Sequence, residues 1–343
     1  MSPIAQVMPT DEEIRAKTLA TFGKRACDFQ IKLCRAQLQR KNIMSIAATG
    51  SGKTLSYLMT LPFSPDSIIV IVTALVVLGD QFVSESIRAG FSAISINAQN
   101  NNEKTFQVRE YSRYIITIIL TCYKDIVARK YRVVVLTPEQ LLLRGGFCET
   151  VLWQNKTFIS KIQNVVFDEG HCIVQWDTFR KGYGLAPQIH WLLRNIPIYV
   201  SSATLPPSII KILEHKFDWQ KTDYVLFKRS NDRANISLVV RPMKHTQTSF
   251  EDLAFLVPKD WKEGDPVPKK FMVFFDSKKD AEAASKYLCS RVSLELREKI
   301  PWFHAGMTRF FRTEEVDDLK SGEVWGFAAT DSGGMVIKMV TLQ

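Results

Sequence analysis

Residues 47–54 form a loop of small residues that ends in a lysine and a threonine, Ala47-Ala48-Thr49-Gly50-Ser51-Gly52-Lys53-Thr54. Mostly apolar residues lie on both sides, which predicts a buried strand before the loop and a helix after it. Such a loop exposes backbone N–H groups at a helix N-terminus, where phosphate binds. In this pattern Lys53 reaches the β- and γ-phosphates and the Thr54 hydroxyl holds Mg²⁺. The strict pattern begins with glycine where this chain has Ala47, so a small-residue turn before an ordinary helix is the alternative.

A pair of carboxylates, Asp168 and Glu169, directly follows the apolar stretch 162–167. The carboxyl ends of buried parallel strands form the sheet edge where ligands bind. Mg²⁺ prefers a carboxylate together with phosphate oxygens, which suits Asp168, and Glu169 can orient and deprotonate an attacking water. A solvated turn is the alternative for an isolated Asp-Glu pair. His171 is predicted either to couple the site to another element or to be a structural histidine.

Aromatic residues follow this pair within a dozen positions. An exposed Trp176 and Phe179 beside Arg180 can stack on unpaired bases, while the guanidinium contacts phosphate. A Trp176 buried in the core is the alternative.

The elements that must position these residues are short apolar strands alternating with helices, which indicates a parallel sheet with crossover helices. Helices are predicted over residues 11–42 and 79–89. Strands are predicted at 67–74, 93–96, 131–136, 162–167 and 196–201, and a short strand at 236–240.

A second α/β unit is predicted from a strand at 271–275, a helix through 281–288, a strand at 302–303, a helix at 313–319 and a strand at 324–328. The predicted domains are residues 1–226 and 227–343. The apolar segment Tyr114–Cys122 is either an extra buried strand or an erroneous insertion in the reading frame.

The composition of the 343 residues is that of a globular protein, with 46% apolar and 23% charged residues. The net charge of +10 favours a polyanionic partner. The six cysteines contain no C-x-x-C pair, so neither a zinc site nor a disulfide framework is predicted. The N-terminus lacks the pattern of a secretory signal, and the longest apolar run, 68–78, is too short to span a bilayer.

Together these motifs resemble superfamily 2 nucleic-acid helicases and, within them, the RecQ family of DNA helicases. The loop in its ATGSGKT form resembles motif I, and Asp168-Glu169-Gly170-His171 resembles motif II. Ser202-Ala203-Thr204 resembles motif III, whose Ser202 and Thr204 would couple ATP turnover to strand movement. Residues 171–180 (HCIVQWDTFR) resemble the aromatic-rich loop of RecQ enzymes, HCISQWGHDFR, with one residue fewer.

Further short matches occur in the family's order. Phe22-Gly23 with Gln30 resembles motif 0, whose glutamine reads the adenine edge. Thr73, Leu75, Leu78, Asp80 and Gln81 match motif Ia, and Thr137-Pro138-Glu139 matches motif Ib. Residues 230–236 resemble the inter-domain S-F-D-R-P-N, and residues 274–279 motif IV. Phe303-His304-Ala305-Gly306-Met307 with Arg312 resembles Y-H-A-G-L and its downstream arginine.

The resemblance implies two RecA-like α/β domains with parallel sheets, the second incomplete, and ATP with Mg²⁺ in the cleft between them. It implies ATP-dependent 3′–5′ unwinding of DNA in recombination and repair, with single-stranded or junction DNA as partner, in the nucleus. ATP would contact Phe22, Gln30 and residues 49–54, and DNA would contact Thr137, Trp176, Phe179, Arg180 and His304. Lys53, Asp168, Glu169 and His171 would be the catalytic residues, and Thr54 and Asp168 the metal ligands.

The end of the sequence departs from the family pattern. Val336 and Lys338 replace a glycine and an aspartate of motif V, and motif VI with its arginine finger does not follow. The zinc-binding and winged-helix regions of the family are not expected among these residues either. We therefore expect binding of ATP–Mg²⁺ and single-stranded DNA with slow hydrolysis and poor unwinding. The alternatives are a non-catalytic nucleotide- and DNA-binding remnant and an RNA-directed helicase of the same superfamily.

Overall fold

The computed structural model describes residues 8–74, 76–97, 124–178, 180–232, 234–259, 261–262, 264–304 and 306–330. The segment Tyr114–Cys122, Leu75, Phe179 and the motif V positions Val336 and Lys338 lie outside the described residues. The chain divides into two compact units, Met1–Arg233 and Ala234–Gln343. The boundary between two helicase domains that the sequence predicts at residues 226 and 227 stays a prediction.

The first unit is built on a seven-stranded sheet in the order β3-β4-β2-β5-β6-β1-β7, in which all paired strands are parallel. The strands are β1 (Asn42–Ile46), β2 (Ile68–Val72), β3 (Ala93–Ile96), β4 (Val133–Leu136), β5 (Ile162–Asp168), β6 (Ile198–Ser202) and β7 (Tyr224–Lys228). The helices are α1 (Asp11–Phe22), α2 (Asp28–Leu38), α3 (Lys53–Leu58), α4 (Val76–Arg88), α5 (Pro138–Leu141), α6 (Lys156–Ile159), α7 (Cys172–Gln175), α8 (Lys181–Leu185), α9 (Ile189–Leu192) and α10 (Pro207–Phe217).

Both faces of this sheet are covered by apolar side chains. In the fully buried strand β2, Ile68, Val70 and Val72 belong to one core cluster, whereas Ile69 and Ile71 belong to the cluster on the other face. Strands that are buried on both faces need a continuous apolar sequence rather than an alternating one. The Ile-Ile-Val-Ile-Val sequence of β2 satisfies that requirement, and the strand predicted at 67–74 is confirmed.

Two local predictions are corrected by the structure. The helix predicted over residues 11–42 is two helices, because Gly23 adopts a left-handed conformation with φ 63° and caps the C-terminus of α1. The strand predicted at 236–240 is wrong, since these residues are exposed and have no strand structure. Strand β7 instead pairs with β1, as strand propensity alone does not decide which segment finds a partner.

The second unit contains a three-stranded parallel sheet in the order β8-β10-β9. Its strands are β8 (Phe271–Phe275), β9 (Trp302–Phe303) and β10 (Gly326–Thr330), and its helices are α11 (Lys278–Cys289) and α12 (Arg309–Ser321). Alanines of α11 pack directly on β10 through Ala328. The α/β unit predicted here is confirmed, with its last strand shifted by two residues toward the C-terminus.

A buried carboxylate in the second unit predicts a pH-dependent stability. Glu315 of α12 lines a cavity of about 660 Å³ together with Glu298 and Asp318, and its buried Oε2 has no hydrogen-bond partner among the described residues. Burial, then the charges of Asp318, Glu314 and Glu298, raises the pKa of Glu315 to about 7. Since the folded state holds this proton more tightly than the unfolded chain, the free energy of unfolding falls as pH rises from about 4.5 through 7.

We therefore expect Glu315→Gln to stabilise the protein at about pH 8 by on the order of 1 kcal/mol after solvent screening, and by little at about pH 4.5. The melting temperatures of variant and wild type at the two pH values measure this difference. Glu295→Gln, at an exposed position whose charge does not act on Glu315, is the control. An equal gain from Glu315→Gln at both pH values would contradict the shifted pKa.

Candidate functional site

The loop between β1 and α3 has a conformation that depends on its glycines. Gly50 and Gly52 have φ values of 80° and 79°, in the left-handed region that favours glycine. A Cβ at Gly52 would also lie 2.5 Å from Nε2 of Gln30. α3 begins at Lys53, so the N-terminus of this helix adjoins the loop. The residues that precede and follow the loop thus have the strand and helix structures that the phosphate-loop pattern requires.

The lysine of this loop is largely buried. Its Nζ donates to the carbonyl oxygens of Ala47 at 3.0 Å and Ala48 at 3.2 Å. Burial lowers the pKa of Lys53, and the negative charge of Asp168 partly opposes that effect. The structure thereby brings together the charges of motifs I and II, which are more than a hundred residues apart in the sequence.

Gln30 connects α2 to the same loop. Its Oε1 accepts from the backbone N–H of Cys27 at 2.9 Å, and its Nε2 donates to the Gly52 carbonyl at 3.0 Å. Phe22, at the end of α1, lies against Phe91 with ring centroids 5.9 Å apart. The structure therefore places Gln30 against the phosphate loop, while the predicted adenine contacts of Gln30 and Phe22 stay predictions.

Motif II is a tight turn at the carboxyl end of β5. Asp168 and Glu169 are only 7% and 4% exposed, so the predicted alternative of a solvated turn does not apply. Glu169 adopts φ 50°, an uncommon value for a residue with a side chain. The backbone N–H of Gly170 donates to the Ser201 carbonyl at 2.9 Å, and a Cβ at Gly170 would lie 2.3 Å from Val200 Cγ1. Only glycine fits so close to β6 without displacing this turn.

Motif III lies between motifs I and II, because β6 separates β1 from β5 in the sheet. The backbone N–H of Ala47 donates to the Ser202 carbonyl at 3.1 Å. His171 Nδ1 lies 2.7 Å from Ser202 Oγ and 3.3 Å from a Glu169 carboxylate oxygen. Ser202 Oγ also accepts from the Thr204 N–H at 3.0 Å. The predicted coupling residues Ser202 and Thr204 are thus joined to motif II through His171.

The protonation state of His171 follows from its surroundings. Burial is the largest influence and lowers the pKa of His171, the Asp168 charge opposes it, and the Lys53 charge acts in the same direction as burial. The imidazole is therefore neutral at neutral pH, and its Nδ1 contact with Ser202 is a hydrogen bond between neutral groups.

Two tyrosines that contact Asp168 were missed by the sequence-based prediction. The Tyr57 hydroxyl donates to Asp168 Oδ1 at 2.8 Å, and the Tyr183 hydroxyl donates to the Asp168 carbonyl at 3.0 Å. Both side chains are fully buried. The spacing of four residues between Lys53 and Tyr57 is a signal that both face the same side of α3. No sequence signal indicates the Tyr183 contact.

The aromatic-rich loop connects α7 to α8. Trp176 is half-buried and edge-on to Tyr183, with ring centroids 6.1 Å apart, and the Arg180 guanidinium lies 5.6 Å from the Trp176 ring. Trp176 is therefore neither fully buried nor fully exposed. Phe179 lies outside the described residues.

Arg180 is held by motifs Ia and Ib. Its Nε and Nη2 donate to the two carboxylate oxygens of Glu139 at 2.6 and 3.0 Å, and its Nη1 donates to the Ala74 carbonyl. Thr137, the predicted DNA contact of motif Ib, is the N-cap residue of α5 and is 4% exposed. The loop is also held by Lys216 of α10, which contacts the Asp177 carboxylate at 2.8 Å. The sequence pattern indicated none of these ion pairs.

Other predicted motif residues lie in both units. In the first, Asn231 of the S-N-D-R-A-N segment donates to the Ala203 carbonyl of motif III. In the second, His304 Nε2 lies 3.3 Å from a Glu282 carboxylate oxygen, and His304 Nδ1 accepts from the Gly306 N–H at 3.1 Å. The predicted contact of His304 with DNA stays a prediction.

Two absences concern only the described ranges. No three or more His, Cys, Asp or Glu side chains there lie close enough together to hold a metal ion. No helix there is both long enough and apolar enough to cross a bilayer.

Comparison with known proteins places this site in a family. Residues 27–212 match the family model described as DEAD/DEAH box helicase. The chain is 23% identical over 311 residues to the "ATP-dependent DNA helicase Q1" of Rattus norvegicus, covering 90% of this chain and 46% of the relative. It is 23% identical over 315 residues to the "ATP-dependent DNA helicase RecQ" of Haemophilus influenzae, covering 90% of this chain and 44% of the relative. The chain thus spans a little under half the length of these curated relatives.

Solved structures confirm the predicted fold class. The helicase MrfA bound to DNA and AMPPNP matches with a TM-score of 0.63 and 14% identity, over 98% of this chain and 46% of that one. The Mycobacterium smegmatis helicase Lhr bound to ssDNA and AMP-PNP matches with a TM-score of 0.55 and 17% identity, over 93% of this chain and 41% of that one. These likenesses confirm an α/β fold with RecA-like parallel sheets. The family model and the RecQ relatives identify the chain as a RecQ-like superfamily 2 member of the DEAD/DEAH box helicase family.

Proposed function

We propose that this chain binds ATP with Mg²⁺ and DNA, and that it couples ATP hydrolysis to 3′–5′ DNA strand separation of the RecQ type in recombination and repair, with the slow hydrolysis and weak unwinding expected from its motif V sequence. The observation that carries the proposal is the meeting of motifs I, II and III at one edge of the parallel sheet, where His171 contacts both Glu169 and Ser202. The polarity and the location in the nucleus rest on the family resemblance alone. The relatives include both a mammalian and a bacterial protein.

The residues at motifs I and II fit a magnesium–nucleotide complex. The Asp168 carboxylate and the Thr54 hydroxyl are hard oxygen donors of the kind that Mg²⁺ binds together with phosphate oxygens. When bound, Mg²⁺ neutralises charge on the β- and γ-phosphates. Lys53 and the backbone N–H groups of the loop would hold the phosphates, and Gln30 and Phe22 would lie toward the adenine.

Glu169 is the residue that would take a proton from the attacking water. The turn that places it, with Gly170 against β6, holds the carboxylate next to His171. His171 is neutral and contacts both Ser202 and Glu169. A movement of motif III during hydrolysis would therefore shift the His171 imidazole and, with it, the Glu169 carboxylate. This contact is the proposed path of coupling.

DNA would be sensed by the aromatic-rich loop. Trp176 offers a partly exposed ring for base stacking, and Arg180 is already bound to the Glu139 carboxylate of motif Ib. A DNA phosphate near Arg180 would compete with Glu139 for the same guanidinium. We therefore propose that DNA binding exchanges the Glu139–Arg180 pair for a phosphate–Arg180 pair and releases the loop from motif Ib. The net charge of +10 favours the approach of DNA.

ATP hydrolysis with and without nucleic acid tests this function. We expect single-stranded DNA to raise ATP turnover by about tenfold or more, and Lys53→Ala to remove about 99% of it through loss of phosphate stabilisation. Lys211→Ala, at an exposed position of α10 away from the phosphate loop, controls for loss of fold. A stronger stimulation by single-stranded RNA than by DNA would favour the RNA-directed alternative and contradict the proposal. Nucleotide and DNA binding without any turnover would favour the non-catalytic alternative.

A further inference from the structure

A fully buried tyrosine of the phosphate-loop helix donates a hydrogen bond to the carboxylate of motif II. Tyr57 lies one turn after Lys53 on α3, and its hydroxyl is 2.8 Å from Asp168 Oδ1. Because the acceptor is a carboxylate, this bond is charge-assisted and stronger than one between neutral groups. Lys53 and Tyr57 therefore both act on Asp168 from the same short helix.

The hydroxyl of Tyr57 is held in place by its neighbours. Its ring is edge-on to Tyr199 with centroids 5.2 Å apart, and it also contacts Phe82. The Tyr199 hydroxyl lies within 3.2 Å of both Ser45 Oγ and Ser56 Oγ, which flank the phosphate loop. Burial and the Asp168 charge raise the pKa of Tyr57 well above its usual value, so its hydroxyl stays protonated and remains a donor.

Asp168 is also held from its backbone side. The Tyr183 hydroxyl, equally buried, donates to the Asp168 carbonyl at 3.0 Å. The two tyrosines thus divide their contacts: Tyr183 fixes the main chain of the residue, and Tyr57 fixes its carboxylate. Of these two contacts, the one from Tyr57 restricts the rotation of the carboxylate that carries the negative charge.

We propose that Tyr57 is a positioning residue that sets the orientation of the Asp168 carboxylate and thereby the affinity of the nucleotide site for Mg²⁺. The inference rests on the proposed function, in which Asp168 binds the metal. Groups that hydrogen-bond to metal-binding carboxylates orient them, and the loss of such a group typically weakens metal binding by about 10- to 100-fold. A tyrosine that merely satisfies its own buried hydroxyl would not affect metal affinity.

The test is the Mg²⁺ dependence of nucleotide binding, measured by the fluorescence of mant-AMPPNP as MgCl₂ is added. Tyr57→Phe keeps the ring and removes the hydroxyl. We expect it to raise the Mg²⁺ concentration for half-maximal binding by about tenfold, with binding in EDTA changed by less than about twofold. Tyr183→Phe is the matched control, because it removes an equally buried hydroxyl that contacts the backbone carbonyl of Asp168 and not its carboxylate. Its Mg²⁺ requirement is expected to stay within about twofold of wild type.

A second variant keeps the test decisive if Tyr57→Phe does not fold. The fully buried Ser201 is paired with Asp168 between β5 and β6. Its hydroxyl accepts from Ser45 Oγ at 3.0 Å and acts on the Tyr57 hydroxyl, whose pKa it lowers. Ser201→Ala is expected to shift the Mg²⁺ requirement in the same direction by about threefold. Equal Mg²⁺ requirements in wild type, Tyr57→Phe and Ser201→Ala would overturn the positioning role of Tyr57 but leave the proposed function standing. A shift in Tyr183→Phe as large as that in Tyr57→Phe would do the same. Nucleotide binding by the wild type that does not respond to Mg²⁺ would overturn the proposed function as well.

Discussion

Glu169→Gln is expected to lower DNA-stimulated ATP turnover by about 10²- to 10⁴-fold, the usual contribution of a general base. Glutamine keeps the size and hydrogen-bonding shape of the side chain but cannot accept the proton of the attacking water. The turn around φ 50° is unchanged by this substitution, since the backbone demands of the position are the same. Binding of mant-AMPPNP and Mg²⁺ is therefore expected to match that of the wild type.

Steady-state ATP hydrolysis with saturating single-stranded DNA measures this effect. Glu12→Gln, which makes the same change at an exposed position in the first turn of α1, is the control and is expected to behave as wild type. Turnover by Glu169→Gln within about tenfold of the wild-type rate would show that another group activates the water. A large loss of nucleotide affinity would instead assign Glu169 to binding.

Residue patterns were sufficient to predict strands β1 to β6 of the first unit, but not β7. β2 and β5 are read from apolar runs, because a parallel strand buried on two faces has no polar positions to interrupt it. The phosphate loop is read from its glycines and lysine, since few other sequences provide backbone N–H groups and a cation together. Apolar runs and the phosphate-loop pattern depend only on residues that are neighbours in the sequence, so they can be recognised without knowledge of the fold.

The contacts around Asp168 could not be predicted in the same way. Tyr57 meets Asp168 across 111 positions of sequence, and Arg180 meets Glu139 across 41. These distances depend on which strands are neighbours, here β5 between β2 and β6, and on the direction of each side chain. Neither quantity follows from the periodicity of one segment. The same reason explains the missed strand β7, whose pairing with β1 is decided by the sheet and not by its own sequence.

Gly170→Ala is expected to destabilise the first unit by about 1–3 kcal/mol, the usual cost of an added methyl group in a closely packed core. The new Cβ would lie 2.3 Å from Val200 Cγ1, far inside van der Waals contact. Val200 is fully buried in β6, and a β-branched side chain in a strand has few alternative rotamers. The turn must therefore move away from β6, which weakens the Gly170 N–H bond to the Ser201 carbonyl.

A double-mutant cycle separates this steric effect from a general loss of packing. Val200→Ala alone leaves a small cavity and is expected to cost about 2 kcal/mol. In the Val200→Ala background the clashing methyl group is gone, so adding Gly170→Ala is expected to cost less than it does in the wild type, with a coupling of about 1 kcal/mol or more. Urea denaturation of the four proteins, followed by circular dichroism, gives the values. Additive losses would contradict a contact between the two positions.

The same cycle shows whether the turn serves hydrolysis as well as stability. Displacement of the turn in Gly170→Ala also moves Glu169 and His171, which flank the glycine, so DNA-stimulated ATP turnover should fall by about 10²-fold even where the protein remains folded. Removing the Val200 methyl groups lets the turn return toward its place. The double variant is therefore expected to hydrolyse ATP faster than Gly170→Ala, although both carry the same substitution in motif II. Loss of stability alone cannot explain why adding Val200→Ala to Gly170→Ala would increase activity. Such an increase would show that ATP turnover depends on how motif II is placed against β6.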